Sequence, residues 1–550
     1  MGRLLFFLGV SVAKWVWIVL VVQPLLYWQG LWGDFVFDDR FLIVETMNDL
    51  SLSNIWFGGL WGESENQANF YRPLFSMTIW LDQQLFGLNP FGYHIHSLLW
   101  HGLNIVLFAG WVAKFLSPSE QKVAVCIFAC HPMMSELVFW IAARNDTMAL
   151  TAVLAFLGVF WEGGTSRSGR NFSWPDRLLC LLFLLVGLLS KESTLILVVP
   201  VLYFAPRHKD TWLIGSFFGV VAMVFGWRLY LGIATPSLEQ ANIRLFQEHL
   251  VAIFLDGYGR LFFPWRLSPS MPMEWLSLSW WQQIFGVLTL VLAMVAGRRI
   301  QDDFMWSVWM LVGVGLAIPA MVYTGNFGDR YWSLALVGWA VIVARCTPLR
   351  FAWVPLPFWC VMIFLRGGAW TSDENFWSQE VSQYKTPYSQ VSLAIIQYNQ
   401  GDLESAMHNF YQGFATEPPH IDGCVPFVSS VLSVQGKISA LEASDWAIER
   451  GCPVDGTMIG LRAVILAGLG RWDEVEEIVA GDWIDSSRRL DVVRMVWWAK
   501  SENWLAFCNA LETDTWQNKE NLYRQLKILS PLQFENTDWI VEQCTGRRSP

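Results

Sequence analysis

The feature of this sequence that most limits its fold is a succession of eleven apolar runs within the first 370 residues. A helix needs about 20 residues to cross a hydrocarbon core of about 30 Å, and only helices or closed barrels satisfy their backbone groups there. No small-residue cleavage site follows the first run before the next charged stretch, so we predict a retained span and not a signal peptide. The predicted spans are 4–28, 95–115, 122–141, 147–161, 178–190, 193–205, 211–232, 281–297, 304–323, 331–345 and 351–366.

Composition agrees with a membrane protein. Only 15% of the 550 residues are charged, 54% are hydrophobic, and the chain has 34 Trp and 38 Phe. Disordered chains and nucleic-acid-binding proteins need more charge and less large apolar surface. The sequence therefore excludes nucleic acid as a partner and predicts an all-α, polytopic chain in contact with membrane lipid.

Charge divides the chain into two predicted domains. Residues 371–550 carry a net charge of −11, whereas residues 1–370 carry +1. The first part, 1–370, is predicted to be the transmembrane domain. The second, 371–550, is predicted to be a soluble acidic domain without a basic patch for nucleic acid or anionic lipid.

Lysine and arginine fall in every second short loop, and this pattern predicts the orientation of the chain in the membrane. We expect a multi-pass inner-membrane protein with a cytoplasmic N-terminus and with everything after Arg366 in the periplasm. Two segments are less regular. Residues 178–204 hold either two short passes that meet below the outer surface or a single span. Residues 243–264 contain Asp256 and Arg260, which favours an interfacial amphipathic helix.

The acidic tail contains a repeat. Gly401, Gly436 and Gly470 are 35 and 34 residues apart, and an apolar residue follows each glycine by five positions, as Ala406, Leu441 and Val475. A period near 34 with a glycine turn matches tetratricopeptide repeats, and unrelated helical hairpins are the alternative. A degenerate fourth unit is predicted at 503–511.

The nine cysteines give little information. Five lie in or beside apolar segments and are predicted to pack there. The four in the tail lack metal-type spacing, which leaves disulfides and free thiols equally open. They are Cys424, Cys452, Cys508 and Cys544.

Ionisable residues at membrane depth are costly and tend to line a functional cavity. With the predicted orientation, fourteen of them collect at the outer face, and chance clustering through loop placement is the alternative. They are Asp34, Asp38, Asp39, Arg72, His94, His96, His131, Glu136, Arg144, Asp146, Lys191, Glu192, Asp329 and Arg330.

The sharpest motif is GDFVFDDRFLIVE, directly after the first span. Asp38 and Asp39 lie there among Phe35, Phe37 and Phe41. Apolar neighbours raise the pKa of a carboxylate and suit it to proton abstraction. An adjacent acidic pair is more often a solvated turn or a helix cap.

Two further motifs carry histidines. Arg72 stands in NFYRPLF, and His94 and His101 share a helix face, although metal binding by that pair would need a third ligand. In CHPMMSELVFWIAARND, His131 and Pro132 are predicted to break a span, and Glu136 and Arg144 follow them.

The last two motifs are short. Lys191 and Glu192 interrupt an apolar run in LLSKEST, either as cavity residues or as a pair that caps two short helices. GNFGDRYW places Asp329, Arg330 and Tyr331 in an outer loop.

Together these residues supply the chemistry of glycosyl transfer from a lipid phosphate. One carboxylate takes the proton of the attacking hydroxyl, and cations stabilise the departing phosphate. An inverting reaction needs no second, nucleophilic carboxylate.

The order of FDD, YRPL, FGLNPFGYHIHSLLWH, HPMMSELVFWIAAR, LLSKES and GDRYWSLALVG, followed by repeats, resembles the transmembrane and tetratricopeptide-repeat O-mannosyltransferases and their bacterial relatives. These belong to the GT-C superfamily together with the protein O-mannosyltransferases. The resemblance spans nearly the whole chain. It implies a GT-C-type membrane domain, for which the apolar runs predict about 11 spans, and a polyprenyl- or dolichyl-phosphate sugar as donor. It also implies attack by a hydroxyl of Ser or Thr of an exported polypeptide, and a carboxylate in the first outer loop as the catalytic group.

Carried onto this sequence, the resemblance implies that the catalytic acidic pair is Asp38 and Asp39. We favour Asp38 as the base, with Asp39 helping to place acceptor or donor. It makes cavity residues of Arg72, His94, His131, Glu136, Arg144, Lys191, Glu192, Asp329 and Arg330. By charge alone, we expect Arg72, Arg144, Lys191 and Arg330 to face the phosphate, and Tyr331 joins the predicted substrate-binding set. No cofactor is certain, and a divalent metal stays open.

The resemblance is incomplete in two places. The repeat array is short, which indicates a bacterial protein, and GDRY stands where relatives often have an ERYLYLP-like string. The repeats favour a polypeptide acceptor, because helical arrays bind extended chains.

Three other functions are kept as alternatives. The nearest is a GT-C transferase that acts on a lipid-linked glycan. A transporter would need ionisable groups through the whole bilayer depth. A membrane assembly scaffold would leave eleven spans unexplained.

Overall fold

The structure is a computed structural model, and it describes residues 13–45, 51–60, 70–164, 173–204, 210–233, 243–273, 280–299, 303–415 and 421–480. Three predicted features lie outside these residues: the start of the first apolar run, Cys508 with Cys544, and the fourth repeat unit at 503–511. The chain forms two compact units, Met1–Phe376 and Trp377–Pro550. The assignment of 1–370 and 371–550 to separate functions stays a prediction.

The first unit is built of helices, as predicted for an all-α chain. Within the described residues its only strands are Met271–Pro272 and Asn326–Phe327, which pair antiparallel. Its α-helices are Lys14–Leu26, Trp28–Leu31, Leu52–Phe57, Pro73–Phe86, Pro90–Val112, Pro118–Cys130, Glu136–Phe139, Arg144–Gly164, Trp174–Leu188, Val198–Phe204, Thr211–Tyr230, Ile243–Phe262, Trp280–Arg299, Asp303–Gly315, Ile318–Thr324, Ser333–Cys346, Leu349–Ala352 and Leu356–Gly367. The helix Asp373–Tyr384 begins in this unit.

Four helical segments in the described part of the chain are long and apolar enough to cross a membrane: Pro90–Val112, Thr211–Tyr230, Met305–Val322 and Arg350–Thr371. A fifth span results if Pro118–Cys130 and Pro132–Phe139 are counted together across a bend of 48°. Other predicted spans coincide with shorter apolar helices, such as Lys14–Leu26 and Trp280–Val295. The structure thus agrees with a membrane protein, and the number eleven stays a prediction.

Short helical turns interrupt the apolar helices where ionisable residues occur. They are Pro132–Ser135, Ile141–Ala143, Glu192–Leu197 and Asp329–Trp332. The break predicted at His131 and Pro132 is confirmed, because the preceding helix ends at Cys130. Pro132 offers no amide hydrogen to continue that helix, and the His131 side chain accepts a hydrogen bond from the Met133 amide instead, at 3.3 Å. The polar side chains of the 131–143 segment therefore lie on irregular backbone that is buried in the protein.

Aromatic residues fill the core of the first unit. The rings of Trp111 and Trp306 lie 5.1 Å apart, and those of Trp161 and Trp306 lie 5.8 Å apart. All three side chains are buried. They join the helices Pro90–Val112, Arg144–Gly164 and Asp303–Gly315 into one block.

The segment 243–264 forms the predicted helix, Ile243–Phe262. Asp256 and Arg260 are nevertheless each only 1% exposed and pair with each other at 2.6 Å. These two charges are thus paired inside the protein, whereas Arg244 and Glu248 near the start of the helix form an exposed pair. Its interfacial location stays a prediction.

The second unit contains three successive helical hairpins in its described part: Pro387–Gln400 with Leu403–Gly413, Ile421–Gln435 with Lys437–Glu449, and Gly456–Leu469 with Trp472–Ala480. Gly401, Gly436 and Gly470 lie between the paired helices with φ of 85°, 90° and 78°, a conformation that glycine adopts without strain. Ala406, Leu441 and Val475 are buried in the common core. The predicted helix-turn-helix repeat is present, and its assignment to the tetratricopeptide family stays a prediction.

A disulfide joins Cys424 to Cys452 in this unit, with 5.9 Å between their Cα atoms. Cys424 lies in the helix Ile421–Gln435, and Cys452 follows the helix Lys437–Glu449. The bond therefore ties the beginning of the middle hairpin to its end. The sequence left disulfides and free thiols equally open, and for Cys424 and Cys452 the structure contains the disulfide.

Candidate active site

The acidic pair lies in a tight turn, and its two carboxylates have different surroundings. Asp38 lines a cavity of about 410 Å³. Asp39 is fully buried, and its carboxylate accepts hydrogen bonds from the backbone amides of Ile141 and Ala142 at 2.9 and 2.6 Å. Asp39 therefore fixes the turn against the 141–143 segment, and Asp38 is the member of the pair that a substrate can reach.

Burial changes the acidity of both carboxyls. Burial raises the pKa of Asp38 to about 6, although the positive charge of Arg330 opposes the rise. Burial also raises the pKa of Asp39, against the effect of its two backbone hydrogen bonds. A carboxylate with a pKa near 6 is ionised at neutral pH and still basic enough to accept a proton in a transition state.

Three cations line the same cavity among the described residues: Arg72, Lys191 and Arg330. The other charged groups in its wall are Asp38 and Asp146. Positive charge is thus in excess at a site that also carries a carboxylate of raised pKa. Phosphate oxygens are ligands of this kind of site, because cations stabilise charge that develops on them.

Each cation is held by a carboxylate. Arg72 Nη2 lies 3.4 Å from Glu192, and Lys191 Nζ donates to Asp146 at 2.5 Å. Glu192 also accepts from Arg228 at 3.1 Å. Lys191 and Glu192 therefore take separate partners from other helices, and the ion pairs draw these helices together around the cavity.

Arg330 is the most constrained of the three cations. Its Nη1 donates to Glu136 at 3.2 Å and to the Pro269 carbonyl at 2.8 Å. Its guanidinium carbon lies 4.3 Å from the centre of the Trp140 ring and 4.7 Å from that of Tyr331. Tyr331 and Trp140 both line the cavity. The planar group is therefore fixed in orientation beside the space that Asp38 faces.

A second cavity of about 370 Å³ shares Arg72, Asp146, Lys191, Arg330 and Tyr331 with the first. Its remaining wall contains the Glu192–Arg228 pair and is otherwise largely apolar, with Leu195, Phe225, Leu316, Ala317 and Pro319. The three cations thus stand at the boundary between a polar space that contains Asp38 and an apolar space.

The remaining predicted residues lie outside the walls of both cavities. Arg144 is fully buried and is used in the structure: it donates to Asp82 at 2.5 Å, to Ser97 at 3.1 Å and to the Tyr93 carbonyl at 2.8 Å. The expectation that Arg144 faces the phosphate is therefore not supported by its contacts. Its ion pair with Asp82 and its hydrogen bonds to Ser97 and Tyr93 join three helices behind the site.

Asp329, His131 and His94 are also buried in the supporting structure. Asp329 accepts from Arg260 at 2.9 Å and also from the Ser268 amide, which fixes the turn that presents Arg330. His131 Nε2 lies 3.1 Å from the Leu261 carbonyl. Glu136 supports Arg330 from behind. These residues shape the cavity without lining it.

Three residues of this network were not among the predicted site residues: Asp82, Arg228 and Arg260. An arginine within an apolar run is costly unless it is paired, so Arg228 in the run 211–232 carried a usable sequence signal. Asp82 carried none, because its partner Arg144 lies 62 residues away. Arg260 stands four residues after its partner Asp256, but its second partner, Asp329, lies 69 residues away.

A metal site is not evident in the part of the chain that the structure describes, where no group of three or more His, Cys, Asp or Glu side chains is placed to hold an ion. His94 and His101, predicted to share a helix face, are both buried in the helix Pro90–Val112. We therefore assign no residue to a metal.

Several curated proteins similar to this chain are described as protein O-mannosyl-transferases. Protein O-mannosyl-transferase TMTC4 of Mus musculus is 32% identical over 201 residues, which are 32% of this chain and 27% of that protein. Protein O-mannosyl-transferase TMTC3 of Homo sapiens is 27% identical over 187 residues, or 33% of this chain and 20% of that protein. Protein O-mannosyl-transferase tmtc2 of Xenopus laevis is 28% identical over 227 residues, or 38% and 27%.

The matches thus span about a quarter of the length of these relatives. No protein-family model matches the chain, and no solved structure is significantly similar to it.

Proposed function

We propose that this chain, which is related to the protein O-mannosyl-transferases over about a third of its length, is a membrane glycosyltransferase. It moves a hexose, mannose by analogy with the names of its relatives, from a polyprenyl-phosphate sugar to Ser or Thr of an exported protein. The observation that carries the proposal is the cavity in which Asp38 faces Arg72, Lys191 and Arg330.

In the proposed reaction Asp38 is the general base. The acceptor hydroxyl oxygen attacks the anomeric carbon, the bond from that carbon to the phosphate oxygen breaks, and its electron pair leaves with the phosphate. The hydroxyl proton passes to Asp38. Attack opposite the leaving group inverts the anomeric centre, so one carboxylate suffices.

The three cations bind the phosphate in this proposal. They lie where the polar cavity meets the apolar one, so a lipid phosphate placed between them would leave its sugar near Asp38 and its first isoprene units among Phe225, Leu316 and Pro319. Negative charge grows on the phosphate as the sugar leaves, and cations fixed by Glu192, Asp146 and Glu136 can stabilise it without reorganising.

We further propose that eleven spans carry this site at the periplasmic face of the inner membrane, with the N-terminus in the cytoplasm. The repeats then lie in the periplasm as a tetratricopeptide-like array that binds the extended acceptor. The Cys424–Cys452 disulfide supports this location, because disulfides persist in oxidising compartments.

The decisive experiment is transfer by purified Asp38→Asn protein. We expect transfer to an acceptor peptide from a polyprenyl-phosphate mannose to be abolished, while the protein stays folded and inserted in the membrane. Asp34→Asn is the matched control, because Asp34 lies four residues away, is exposed and does not line the cavity. Full activity of Asp38→Asn would overturn the assignment of the base.

The acceptor is tested separately by intact-mass analysis of exported proteins from cells with and without the gene. Loss of hexose from exported proteins supports a polypeptide acceptor. An unchanged protein glycan pattern with an altered lipid-linked glycan would support the alternative acceptor.

A further inference from the structure

The segment that leads to Asp38 lies along the segment that follows the last apolar helix of the first unit. The Asp34 amide donates to the Thr371 carbonyl at 3.0 Å. Gly33 allows this approach, because a Cβ at that position would lie 2.2 Å from the Trp370 carbonyl oxygen. The Phe37 amide then donates to the Asp373 carboxylate at 2.8 Å. Residues 336 positions apart in sequence are thus joined next to the proposed base.

Phe37 has a φ of 61°, in the left-handed region that residues other than glycine rarely adopt. Such a conformation persists only where the surroundings enforce it. Here the amide is held by Asp373, and the ring packs between Trp140 and Phe376 at centroid distances of 5.2 and 5.6 Å. The strained residue directly precedes Asp38.

We propose that Asp373 is a positioning residue for Asp38: by holding the Phe37 amide, it keeps the turn in the conformation that directs the Asp38 carboxylate into the cavity. The inference rests on the proposed function, in which Asp38 is the base, and adds a residue to it. On the other side of Asp38, the Asp39 carboxylate is held by the amides of Ile141 and Ala142. Both sequence neighbours of Asp38 are therefore fixed by hydrogen bonds. Without the Asp373 acceptor, Phe37 relaxes towards negative φ and the peptide leading to Asp38 rotates.

A role for Asp373 in its own helix is the competing explanation. Asp373 and Glu374 both lie in the first turn of Asp373–Tyr384, where acidic residues interact favourably with the helix dipole. Glu374 is exposed, so Glu374→Gln removes an equivalent charge without touching the Phe37 amide. This variant separates the two roles.

The kinetic test compares Asp373→Ala, Asp373→Asn and Glu374→Gln in the full-length protein. We expect Asp373→Ala to lower kcat roughly 10- to 100-fold with the KM for donor unchanged, because small displacements of a reacting group cost about that much. Asp373→Asn keeps an oxygen that accepts from Phe37 and should restore most of kcat, and Glu374→Gln should match the wild type. Wild-type kcat in Asp373→Ala, or equal loss in the alanine and asparagine variants, would overturn the proposal.

A second readout does not depend on transfer. Water-soluble carbodiimide modifies protonated carboxyls, so labelling of Asp38, followed by mass spectrometry across pH, reports its environment. Arg330 and Asp39 are the charged groups that act on Asp38, and Asp34 and Arg40 those that act on Asp373. We expect Asp38 to be labelled faster in Asp373→Ala than in Asp373→Asn or the wild type. The midpoint of the pH dependence of Asp38 labelling should also lie at a lower pH in Asp373→Ala.

Identical Asp38 labelling in all variants would refute the positioning role. Absence of transfer by the wild type, together with the expected labelling, would refute the proposed function and leave the positioning role standing. Asp373→Ser, whose side chain is too short to reach Phe37, replaces the alanine variant if that protein does not fold.

Discussion

The guanidinium of Arg330 donates a hydrogen bond of 3.2 Å to the carboxylate of Glu136, which precedes it by 194 residues. Glu136 is fully buried, and Arg366 approaches it from another side at 4.0 Å. A carboxylate behind the cavity wall thus sets the position of a cation in the wall. The packing of the first unit and the proposed chemistry of its cavity are thus linked through one ion pair.

Glu136→Ala should therefore destabilise the protein and weaken transfer together. Removing one partner of a buried ion pair costs about 3–5 kcal/mol, because the other charge is left uncompensated. Glu248→Ala is the control: Glu248 pairs with Arg244 on an exposed surface, where about 0.5 kcal/mol is at stake. Thermal unfolding in detergent measures both. Equal melting temperatures for the two variants would contradict the structural role of Glu136.

The pH dependence of transfer should follow the ionisation of Asp38. A base acts only when ionised, and burial raises the pKa of this carboxyl to about 6. We therefore expect kcat/KM to fall about tenfold per pH unit below about pH 6 and to level off above it. The measurement is the rate between about pH 4.5 and 8 in nanodiscs, where folding is checked at each pH. A rate that is constant from about pH 5 to 7 would count against Asp38 as the base.

Lys191→Met should weaken donor binding and also lower the melting temperature, because Asp146 is left without its cation. The variant keeps most of the side-chain volume but removes the cation that pairs with Asp146 in the cavity wall. A charge-assisted hydrogen bond contributes about 1.5–3 kcal/mol, so the KM for the lipid donor should rise at least about tenfold. Lys122→Met is the control at an exposed lysine. An unchanged KM would remove Lys191 from the phosphate site.

Reduction of the Cys424–Cys452 disulfide should destabilise the repeat unit. Disulfides contribute typically about 2–4 kcal/mol, and this one closes a segment with a sequence separation of 28. We expect a lower melting temperature for Cys424→Ser, and a linked peptide pair in the wild type under non-reducing conditions. Cys360→Ser, at a free cysteine in the other unit, should change neither. Alkylation of both thiols without reductant would show that the bond does not form.

The sequence could predict the charged cavity because ionisable residues are rare in apolar runs. Five of the fourteen residues expected at one membrane face line a single cavity: Asp38, Arg72, Asp146, Lys191 and Arg330. The sequence alone cannot distinguish an ionisable residue that lines the cavity from one that is buried behind the cavity wall. Arg144 and Lys191 have the same charge in the same kind of sequence, and only the fold shows that Arg144 is paired with Asp82 outside the cavity wall.

Helices and turns in the tail followed from the glycine spacing, because Gly401, Gly436 and Gly470 adopt a conformation that other residues avoid. The role of Asp373 had no comparable signal. Its partner is a backbone amide 336 residues away, and backbone amides are identical in every residue except proline. A contact between a side chain and a distant backbone amide can therefore be identified only in the folded structure.

The pairing of residues 33–37 with residues 370–373 also bears on where the protein can be shortened. A version that ends at Arg366, near the end of the last apolar helix, would contain every residue of the proposed cavity and yet lack Trp370, Thr371 and Asp373. A version that ends after Phe376 would retain them. The smallest piece of this chain able to present Asp38 correctly thus extends past the last predicted span by about ten residues.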